Sequence, residues 1–329
     1  MNMPKDNYGR SITYLRVSVT PRCNLKCAYC MPEGKKMYPK GDILTIKDIT
    51  RLIRIFSTVG VKKIRLTGGE PLVRKGITTL VSDIKQIDGI EEVTLTTNGV
   101  LLGHMAKELK NAGLDRINIS LDTLIRERMK NISGADVLPK VINSIEAICR
   151  DNIFPVKINV VAIKGVNDDE IPAFANMAKR LPVEIRFIEM MPTAHNRLWT
   201  NKEKFPNKNI EEIIRLEHDL IPEERLGNST GPASVYKING GTGKIGFVSP
   251  MTEKFCDGCN RLRLTAEGHL RSCLFSDNEI DLSTGLKENE DDHWFLQKFH
   301  EAVYCKPDSH GLDSNSKLTS GRGMTSIGG

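Results

Sequence analysis

Three cysteines lie close together near the amino terminus, in the stretch TPRCNLKCAYCMPEG. Cys23, Cys27 and Cys30 fall within eight residues, and no fourth cysteine follows nearby. A closed structural zinc site has four protein ligands, whereas a four-iron cluster bound by three thiolates leaves one iron open to a small molecule. From this stretch alone, two interpretations remain: an iron-sulfur cluster with one open position, or a zinc site completed by a distant ligand.

A second group of three cysteines lies in the stretch FCDGCNRLRLTAEGHLRSCLF. Cys256, Cys259 and Cys273 again have no fourth cysteine at comparable spacing, and Arg261 and Arg263 lie between them. A CxxC pair combined with arginines is also typical of zinc knuckles that bind nucleic acid. On residue types alone, a zinc knuckle is favoured over a second cluster.

The overall composition is that of a globular protein, with 39% hydrophobic and 27% charged residues. Eight cysteines indicate thiolate or metal chemistry in a reducing compartment. No apolar stretch reaches the length of a transmembrane helix, so we expect a cytoplasmic protein without membrane contact. The net charge of +6 is compatible with an anionic small molecule or with a nucleic acid, so the positions of the charges have to decide between them.

Short β-branched runs alternate with amphipathic helical patterns over the first two thirds of the chain. In TIKDITRLIRIFSTVG, Ile46, Ile49, Ile53 and Phe56 have helical spacing, and Gly60 is a stop signal. Repeated βα units predict a parallel sheet that curls into a partial (βα)6 TIM-type barrel with its helices outside. The predicted strands span residues 14–19, 63–67, 93–97, 116–121, 156–163 and 183–188.

The pattern changes after about residue 220. The stretch ASVYKINGGTGKIGFVSP predicts a β-hairpin. Its GGTGKIG segment resembles a phosphate-binding loop only superficially, because Lys244 is followed by Ile245 instead of serine or threonine. We therefore predict two domains, a barrel over residues 1–220 and a smaller domain over residues 221–329 that contains the second cysteine group.

Polar or glycine-rich motifs follow every predicted strand. They are TPRCNLKC, TGGEP, TTNG, SLD, IKGVND and EMMP. Because parallel strands of a barrel all end at the same rim, these motifs are expected to meet there. The sequence therefore predicts an active site at the carboxyl-terminal ends of the strands.

The C-x3-C-x2-C spacing after the first strand and GGEP (Gly68–Pro71) after the second resemble motifs of the radical S-adenosylmethionine (SAM) superfamily. A zinc site explains neither the GGEP motif nor its position in the barrel. The second cysteine group, its CNRLRL segment and the terminal Gly-Gly further resemble the GTP 3',8-cyclase family. This resemblance extends from Tyr14 to Gly329 and implies two open iron-sulfur clusters.

The resemblance also implies which residues form the site. The expected ligands of two [4Fe-4S] clusters are Cys23, Cys27 and Cys30 for the first and Cys256, Cys259 and Cys273 for the second. The cofactor SAM is expected to contact Tyr29, Gly69, Ser120 and Met191. The substrate GTP is expected to contact Arg16, Arg65, Thr96, Lys157, Arg261 and Arg263. The residues expected to act in catalysis are Arg16, Gly328 and Gly329.

The cationic residues of this set also suit the substrate on physical grounds. Arg16, Arg65 and Lys157 interrupt apolar strand sequence, where exposure to solvent is least expected. Arginine forms bidentate, charge-assisted hydrogen bonds with phosphate groups. We further expect the smaller domain to close the mouth of the barrel, so that the two clusters face each other across it.

The implied reaction begins when one electron enters the first cluster and SAM is cleaved to methionine and a 5'-deoxyadenosyl radical. That radical removes the hydrogen at C3' of GTP, and the ribosyl radical then attacks C8 of guanine. The product is (8S)-3',8-cyclo-7,8-dihydroguanosine 5'-triphosphate, formed in the first step of molybdenum cofactor biosynthesis. Implied partners are a reductant protein and a downstream cyclic pyranopterin monophosphate synthase; a homodimer is compatible, and no nucleic acid is expected.

Two other functions stay open. One is a different radical SAM enzyme with an auxiliary cluster, such as a peptide maturase, although three auxiliary cysteines and CNRLRL weigh against it. The other is a zinc or iron-sulfur protein that binds nucleic acid without catalysis. A strongly salt-dependent affinity for DNA or RNA, without cleavage of the cofactor, would indicate the second alternative.

Overall fold

A computed structural model describes residues 4–30, 43–192, 205–224, 231–312, 324–325 and 327. Its first two thirds alternate strands and helices, as the sequence predicts. The strands are β1 (Tyr14–Ser18), β2 (Lys63–Thr67), β3 (Glu92–Thr97), β4 (Arg116–Ser120), β5 (Val156–Ala162) and β6 (Val183–Glu189). The helices are α1 (Ile46–Ser57), α2 (Ile77–Lys85), α3 (Leu102–Asn111), α4 (Arg126–Ser133), α5 (Leu138–Arg150) and α6 (Ile171–Arg180).

Neighbouring strands from β1 to β6 all pair in parallel. Helix α1 shows why the sequence folds this way locally. It buries Ile49, Ile53 and Phe56 on the face that the spacing predicts, and a capping box between Thr45 and Asp48 satisfies the free N–H groups of its first turn. The prediction of a partial (βα)6 TIM-type barrel is confirmed.

The rest of the described chain adds strands to both edges of the barrel sheet. The strands are β7 (Leu220–Pro222), β8 (Ser234–Ile238), β9 (Lys244–Val248), β10 (Arg261–Leu264), β11 (His269–Arg271) and β12 (Glu279–Asp281). The helices are α7 (Asn207–Arg215), α8 (Ser283–Lys287) and α9 (Asp292–Tyr304). Judged over the described helices, none combines the length and the apolar character that crossing a membrane requires.

The described strands form a single sheet in the order β12-β11-β10-β1-β2-β3-β4-β5-β6-β9-β8-β7. The predicted hairpin is present, since β8 and β9 pair in antiparallel orientation. Strand β9 also pairs in parallel with β6. Strands that precede residue 220 in the chain and strands that follow it therefore belong to one continuous sheet. The division of the chain into two domains at that residue stays a prediction.

The second cysteine group lies at the amino-terminal end of the barrel, and closure of the barrel mouth by the smaller domain stays a prediction. Strand β10 pairs in parallel with β1, with Arg261 opposite Tyr14. Cys259 precedes β10 and therefore lies where β1 begins, and the neighbouring Asn260 carbonyl accepts hydrogen bonds from the amides of Thr13 and Tyr14, both at 3.2 Å. The first cysteine group follows β1. The five residues of β1, at about 3.3 Å each along the strand, thus lie between the two groups.

Candidate active site

A cavity of about 1220 Å³ extends through the barrel and reaches both cysteine groups. Its walls include every predicted site residue that the structure describes. These residues are Cys23, Cys27, Cys30, Cys256, Cys259, Cys273, Tyr29, Gly69, Ser120, Met191, Arg16, Arg65, Thr96, Lys157, Arg261 and Arg263. Gly328 and Gly329 lie outside the described residues. The individual roles of all these residues stay predictions, but the fold brings the described ones to one cavity.

The first cysteine group lies on a turn that its own backbone stabilises. The Cys30 amide donates to the Cys27 carbonyl at 3.0 Å. Cys23 Sγ accepts hydrogen bonds from the Leu25 amide at 3.4 Å and from Asn98 Nδ2 at 3.8 Å. Burial raises the pKa of the Cys30 thiol to about 12, so this thiol keeps its proton at neutral pH unless a metal displaces it. Three sulfurs on one loop, with N–H donors to one of them, fit a cluster bound through three thiolates.

A single metal ion would need a different arrangement. Across the described ranges, no group of three or more His, Cys, Asp or Glu side chains converges on a point that could hold one metal ion. A four-iron cluster does not need such convergence, because each thiolate binds a different iron. The requirement is that the three sulfurs open into one cavity, and both cysteine groups of this chain open into the same cavity.

The GGEP motif packs its backbone against the first cysteine loop. The Gly69 amide donates to the Thr20 carbonyl at 2.7 Å, and the Glu70 amide donates to the Arg22 carbonyl at 2.8 Å. A Cβ atom on Gly69 would lie 2.4 Å from the Arg22 carbonyl oxygen, which is closer than any side chain can approach. Glycine is therefore required here, because the two backbones touch.

Glu70 is a functional candidate that the sequence prediction missed. Its side chain is 1% exposed and accepts hydrogen bonds from Thr97 Oγ1 at 2.7 Å, the Asn98 amide at 2.7 Å and the Leu72 amide at 3.0 Å. Burial raises the pKa of this carboxyl group to about 7, although the hydrogen bonds act in the opposite direction. Glu70 thus joins the ends of β2 and β3. A carboxylate between glycine and proline at a strand end was the available signal.

Replacing Glu70 with alanine is expected to lower the thermal unfolding temperature. The change leaves buried donors without an acceptor, and each such group costs about 1–3 kcal/mol. Scanning calorimetry of the anaerobic protein measures the effect. Glu91→Ala is the matched control, because Glu91 pairs with Lys62 at the surface, where an ion pair contributes at most about 1 kcal/mol. Equal unfolding temperatures for the two variants would contradict this role of Glu70.

Asp122 is a second candidate that the sequence prediction missed, in the SLD motif after β4. Its Oδ2 atom accepts a hydrogen bond from the Tyr29 hydroxyl at 2.5 Å, and its Oδ1 atom accepts one from the Val161 amide at 2.9 Å. Asp122 therefore connects the first cysteine loop, which contains Tyr29, to β4 and β5. This contact fixes the loop at the carboxyl-terminal rim, where Ser120 and Met191 also line the cavity.

Three arginines form a row across neighbouring strands, which we call the arginine row: Arg65, Arg16 and Arg263. Arg16 lies in register with both of the others. In-register residues of paired strands point to the same face of a sheet, which here is the cavity. Arg65 and Arg263 are each 8% exposed, and burial together with the charge of Arg261 lowers the pKa of Arg263 to about 10. An anion relieves the repulsion among such buried charges, so the arginine row is suited to a phosphorylated ligand.

The sequence prediction missed three further cationic residues that line the cavity, Lys63, Arg116 and Arg186. Glu184 pairs with Lys157 and also with Arg186. Burial, together with the charge of Arg186, lowers the pKa of Lys157 to about 8. The signal was the strand period, because alternate residues of a strand face the barrel interior and a charge at such a position is buried.

The second cysteine group has cations against its backbone and its sulfur. The Cys259 amide donates to the Cys256 carbonyl at 3.0 Å, and the same carbonyl accepts a hydrogen bond from Arg10 Nη1 at 2.8 Å. Burial raises the pKa of the Cys259 thiol, but the charges of Arg261 and Lys306 outweigh burial and lower it to about 6. Cys259 therefore favours the thiolate form that binds metal at neutral pH, which fits a second cluster.

This fold and its cavity define a protein of the radical SAM class. Residues 17–178 match the Radical SAM superfamily, and residues 183–312 match Molybdenum Cofactor Synthesis C. Among solved structures, SuiB of Streptococcus suis bound to S-adenosylmethionine superposes with a TM-score of 0.61 and 15% sequence identity. The match covers 90% of this chain but only 66% of SuiB, and it concerns the fold alone.

Relatives named GTP 3',8-cyclase match nearly the whole length of this chain. The GTP 3',8-cyclase of Syntrophomonas wolfei is 44% identical over 98% of this chain and 99% of its own length. The GTP 3',8-cyclase of Clostridium acetobutylicum is 43% identical with the same two coverages, and that of Alkaliphilus metalliredigens is 42% identical over 99% of this chain and 100% of its own. The chain belongs to the GTP 3',8-cyclase family.

Proposed function

We propose that this protein converts GTP to (8S)-3',8-cyclo-7,8-dihydroguanosine 5'-triphosphate by radical SAM chemistry, in the first step of molybdenum cofactor biosynthesis. The cavity is the observation on which this proposal depends. It has a group of three cysteines at each end and the arginine row between them. Two open clusters provide a position for one small molecule each, and the cations between them suit a triphosphate.

Each part of the cavity has a task in this function. SAM on the first cluster, held by Cys23, Cys27 and Cys30, supplies the one-electron chemistry at C3' of GTP. The residues that hold the cofactor are Tyr29, Gly69, Ser120 and Met191. The residues that hold the substrate are Arg16, Arg65, Thr96, Lys157, Arg261 and Arg263. The barrel walls exclude water and fix the distance between the reacting atoms, which is the main contribution of the protein to such chemistry.

The separation of the cysteine groups suggests how GTP lies in the cavity. The second cluster, at the amino-terminal end, would hold the purine, so the ribose points toward the first cluster at the opposite end. Because the arginine row belongs to β2, β1 and β10, it lies beside this path and not at either end. The arginine row would thus hold GTP from the side, while its two reacting carbons, C3' and C8, stay accessible.

The positions of the basic residues do not favour a nucleic-acid-binding protein. Arg65 and Arg263 are almost completely buried inside the barrel. A nucleic acid requires cations on an accessible surface, where they neutralise successive phosphates. A peptide maturase is not favoured either, because relatives named GTP 3',8-cyclase match 98% of this chain.

We propose further that the enzyme acts in the cytoplasm, where free thiols persist. A separate reductant protein would supply the electron, and a cyclic pyranopterin monophosphate synthase would consume the product. A homodimer is a compatible assembly. Co-purification under anaerobic conditions with candidate reductants of the same cell tests the first of these partners.

Anaerobic reconstitution tests the function directly. We expect about eight irons and eight sulfides per chain, since each cubane cluster contains four of each. Incubation with GTP, SAM and dithionite should then form 5'-deoxyadenosine and a cyclised nucleotide, both separated by chromatography. Cleavage of SAM without any change in GTP would contradict the proposed substrate, and the absence of both would contradict the whole proposal.

Removing the charge of Arg261 or Arg263 is expected to weaken GTP binding about ten- to a hundredfold. The physical reason is that a hydrogen bond to a charged group contributes about 1.5–3 kcal/mol. Anaerobic calorimetry with Arg261→Met and Arg263→Met measures the effect, with SAM affinity expected to stay unchanged. Arg54→Met is the matched control, since Arg54 is exposed on α1. Unchanged GTP affinity in both cavity variants would show that these arginines do not contact the substrate.

A further inference from the structure

Lys306 is a buried lysine that lines the cavity beside the second cysteine group. It follows α9 and is 4% exposed. Burial lowers the pKa of Lys306, and Cys259 and Cys273 act in the opposite direction. A buried charge is costly unless nearby groups compensate it. The position of Lys306 therefore has to be explained by what its ammonium group contacts.

The ammonium group contacts both chain segments that contain the second cysteine group. Its Nζ atom donates to the Arg261 carbonyl at 2.9 Å and to the Ser272 carbonyl at 2.8 Å. An ammonium group has three N–H donors, and these two contacts use two of them. Lys306 also lines the cavity together with Cys259 and Cys273. Lys306 thus joins the segment of Cys259 to the segment of Cys273.

The backbone that holds Lys306 is anchored on the barrel. Helix α9 packs on α1 through the rings of Phe299 and Phe56, whose centroids are 4.6 Å apart. Arg51 of α1 also donates to the Glu290 carbonyl at 2.6 Å, just before α9 begins. The Lys306 amide then donates to the Val303 carbonyl at 3.1 Å, which continues the end of the helix. The position of the ammonium group is therefore fixed by helix α9, which is packed on the barrel.

We propose that Lys306 is a positioning residue of the second cluster, which holds its two ligand-bearing segments together and places a fixed positive charge beside its sulfurs. This proposal rests on the assignment of Cys256, Cys259 and Cys273 as cluster ligands. Hydrogen bonds to cluster sulfurs and nearby charge both influence reduction potential, and a positive charge favours the reduced form. Lys306 therefore raises the reduction potential of the second cluster.

Three substitutions separate charge from hydrogen bonding and from bulk. Lys306→Met removes charge and donors, Lys306→Gln keeps donors without charge, and Lys306→Arg keeps both. Lys298→Met is the matched control, because Lys298 is on α9 but pairs with Glu301 at the surface. Iron per chain is measured first. Redox titration followed by electron paramagnetic resonance then gives the potential of the cluster whose signal SAM leaves unchanged.

We expect Lys306→Met and Lys306→Gln to lower the potential of that cluster, or to lose its four irons, while Lys306→Arg and Lys298→Met match the unsubstituted protein. Unchanged iron and potential in the Met and Gln variants would overturn the proposal. So would an Arg variant that behaves like Met, because bulk alone would then explain the effect. These measurements contain no GTP, so a failure of the proposed substrate would be seen separately, in the cyclisation assay.

Discussion

Replacing Cys27 with serine is expected to abolish the formation of 5'-deoxyadenosine, because the first cluster then loses one of its three thiolates. Replacing Cys259 with serine is expected to leave some uncoupled cleavage of SAM but no cyclised nucleotide. The two residues belong to groups at opposite ends of one cavity, so damage to one end need not reach the other. Chromatography of 5'-deoxyadenosine and of the nucleotide, after anaerobic incubation, measures both outcomes.

Cys149→Ser is the matched control for both cysteine variants. Cys149 lies on α5 and packs against the hydrophobic core, so its replacement should leave both products in place. Iron analysis and circular dichroism show whether each variant keeps its other cluster and its fold. Equal and complete loss of SAM cleavage in the Cys27 and Cys259 variants, with both still folded, would refute the assigned division of roles.

Deleting Gly328 and Gly329 is expected to largely abolish conversion of GTP while both clusters and SAM binding stay intact. These two glycines lie outside the described residues, and the structural support comes from the residue before them. Ile327 is 3% exposed, and its carbonyl accepts a hydrogen bond from Arg263 Nη1 at 3.3 Å. Arg263 belongs to the arginine row. Ile327, the last residue that the structure describes, is therefore hydrogen-bonded to a residue that is predicted to bind GTP.

The truncated and intact proteins should be compared at equal iron content. Product is measured by chromatography, and SAM binding is measured by calorimetry. A variant with a short carboxyl-terminal extension separates loss of the glycines from loss of the free carboxylate, which can accept charge-assisted hydrogen bonds from cations. Cyclisation at the intact rate in the truncated protein would show that the terminal residues have no part in the reaction.

The local sequence predicted the strands and the first helix closely. The predicted run 63–67 is β2 as observed, and the other predicted strands differ from β1 and β3–β6 by one residue at an end. Helix α1 covers the predicted apolar spacing from Ile46 to Phe56. Such segments were predictable because strand and helix periods depend on neighbouring residues, and because a capping box and glycine mark the ends of the helix.

Residues that act through partners distant in the chain were not predicted. Glu70 gains its role from Thr97 and Asn98 on another strand end, and Asp122 gains its role from Tyr29. A single buried carboxylate in the sequence does not reveal which donors it will meet. Of the residues implied by the resemblance, those that the structure describes line one cavity, but their individual contacts with cofactor and substrate stay predictions.

The sequence by itself determined the chemistry that is available: two groups of three thiolates and cationic residues within apolar strands. Only the tertiary structure decided where these groups lie relative to one another. Strand β10 pairs in parallel with β1, which moves the second cysteine group to the amino-terminal end of the barrel and aligns Arg263 with Arg16. This pairing joins segments that are far apart in the chain, so no local pattern encodes it. The physical reason is that register between distant strands is set by burial of the whole sheet and not by either strand alone.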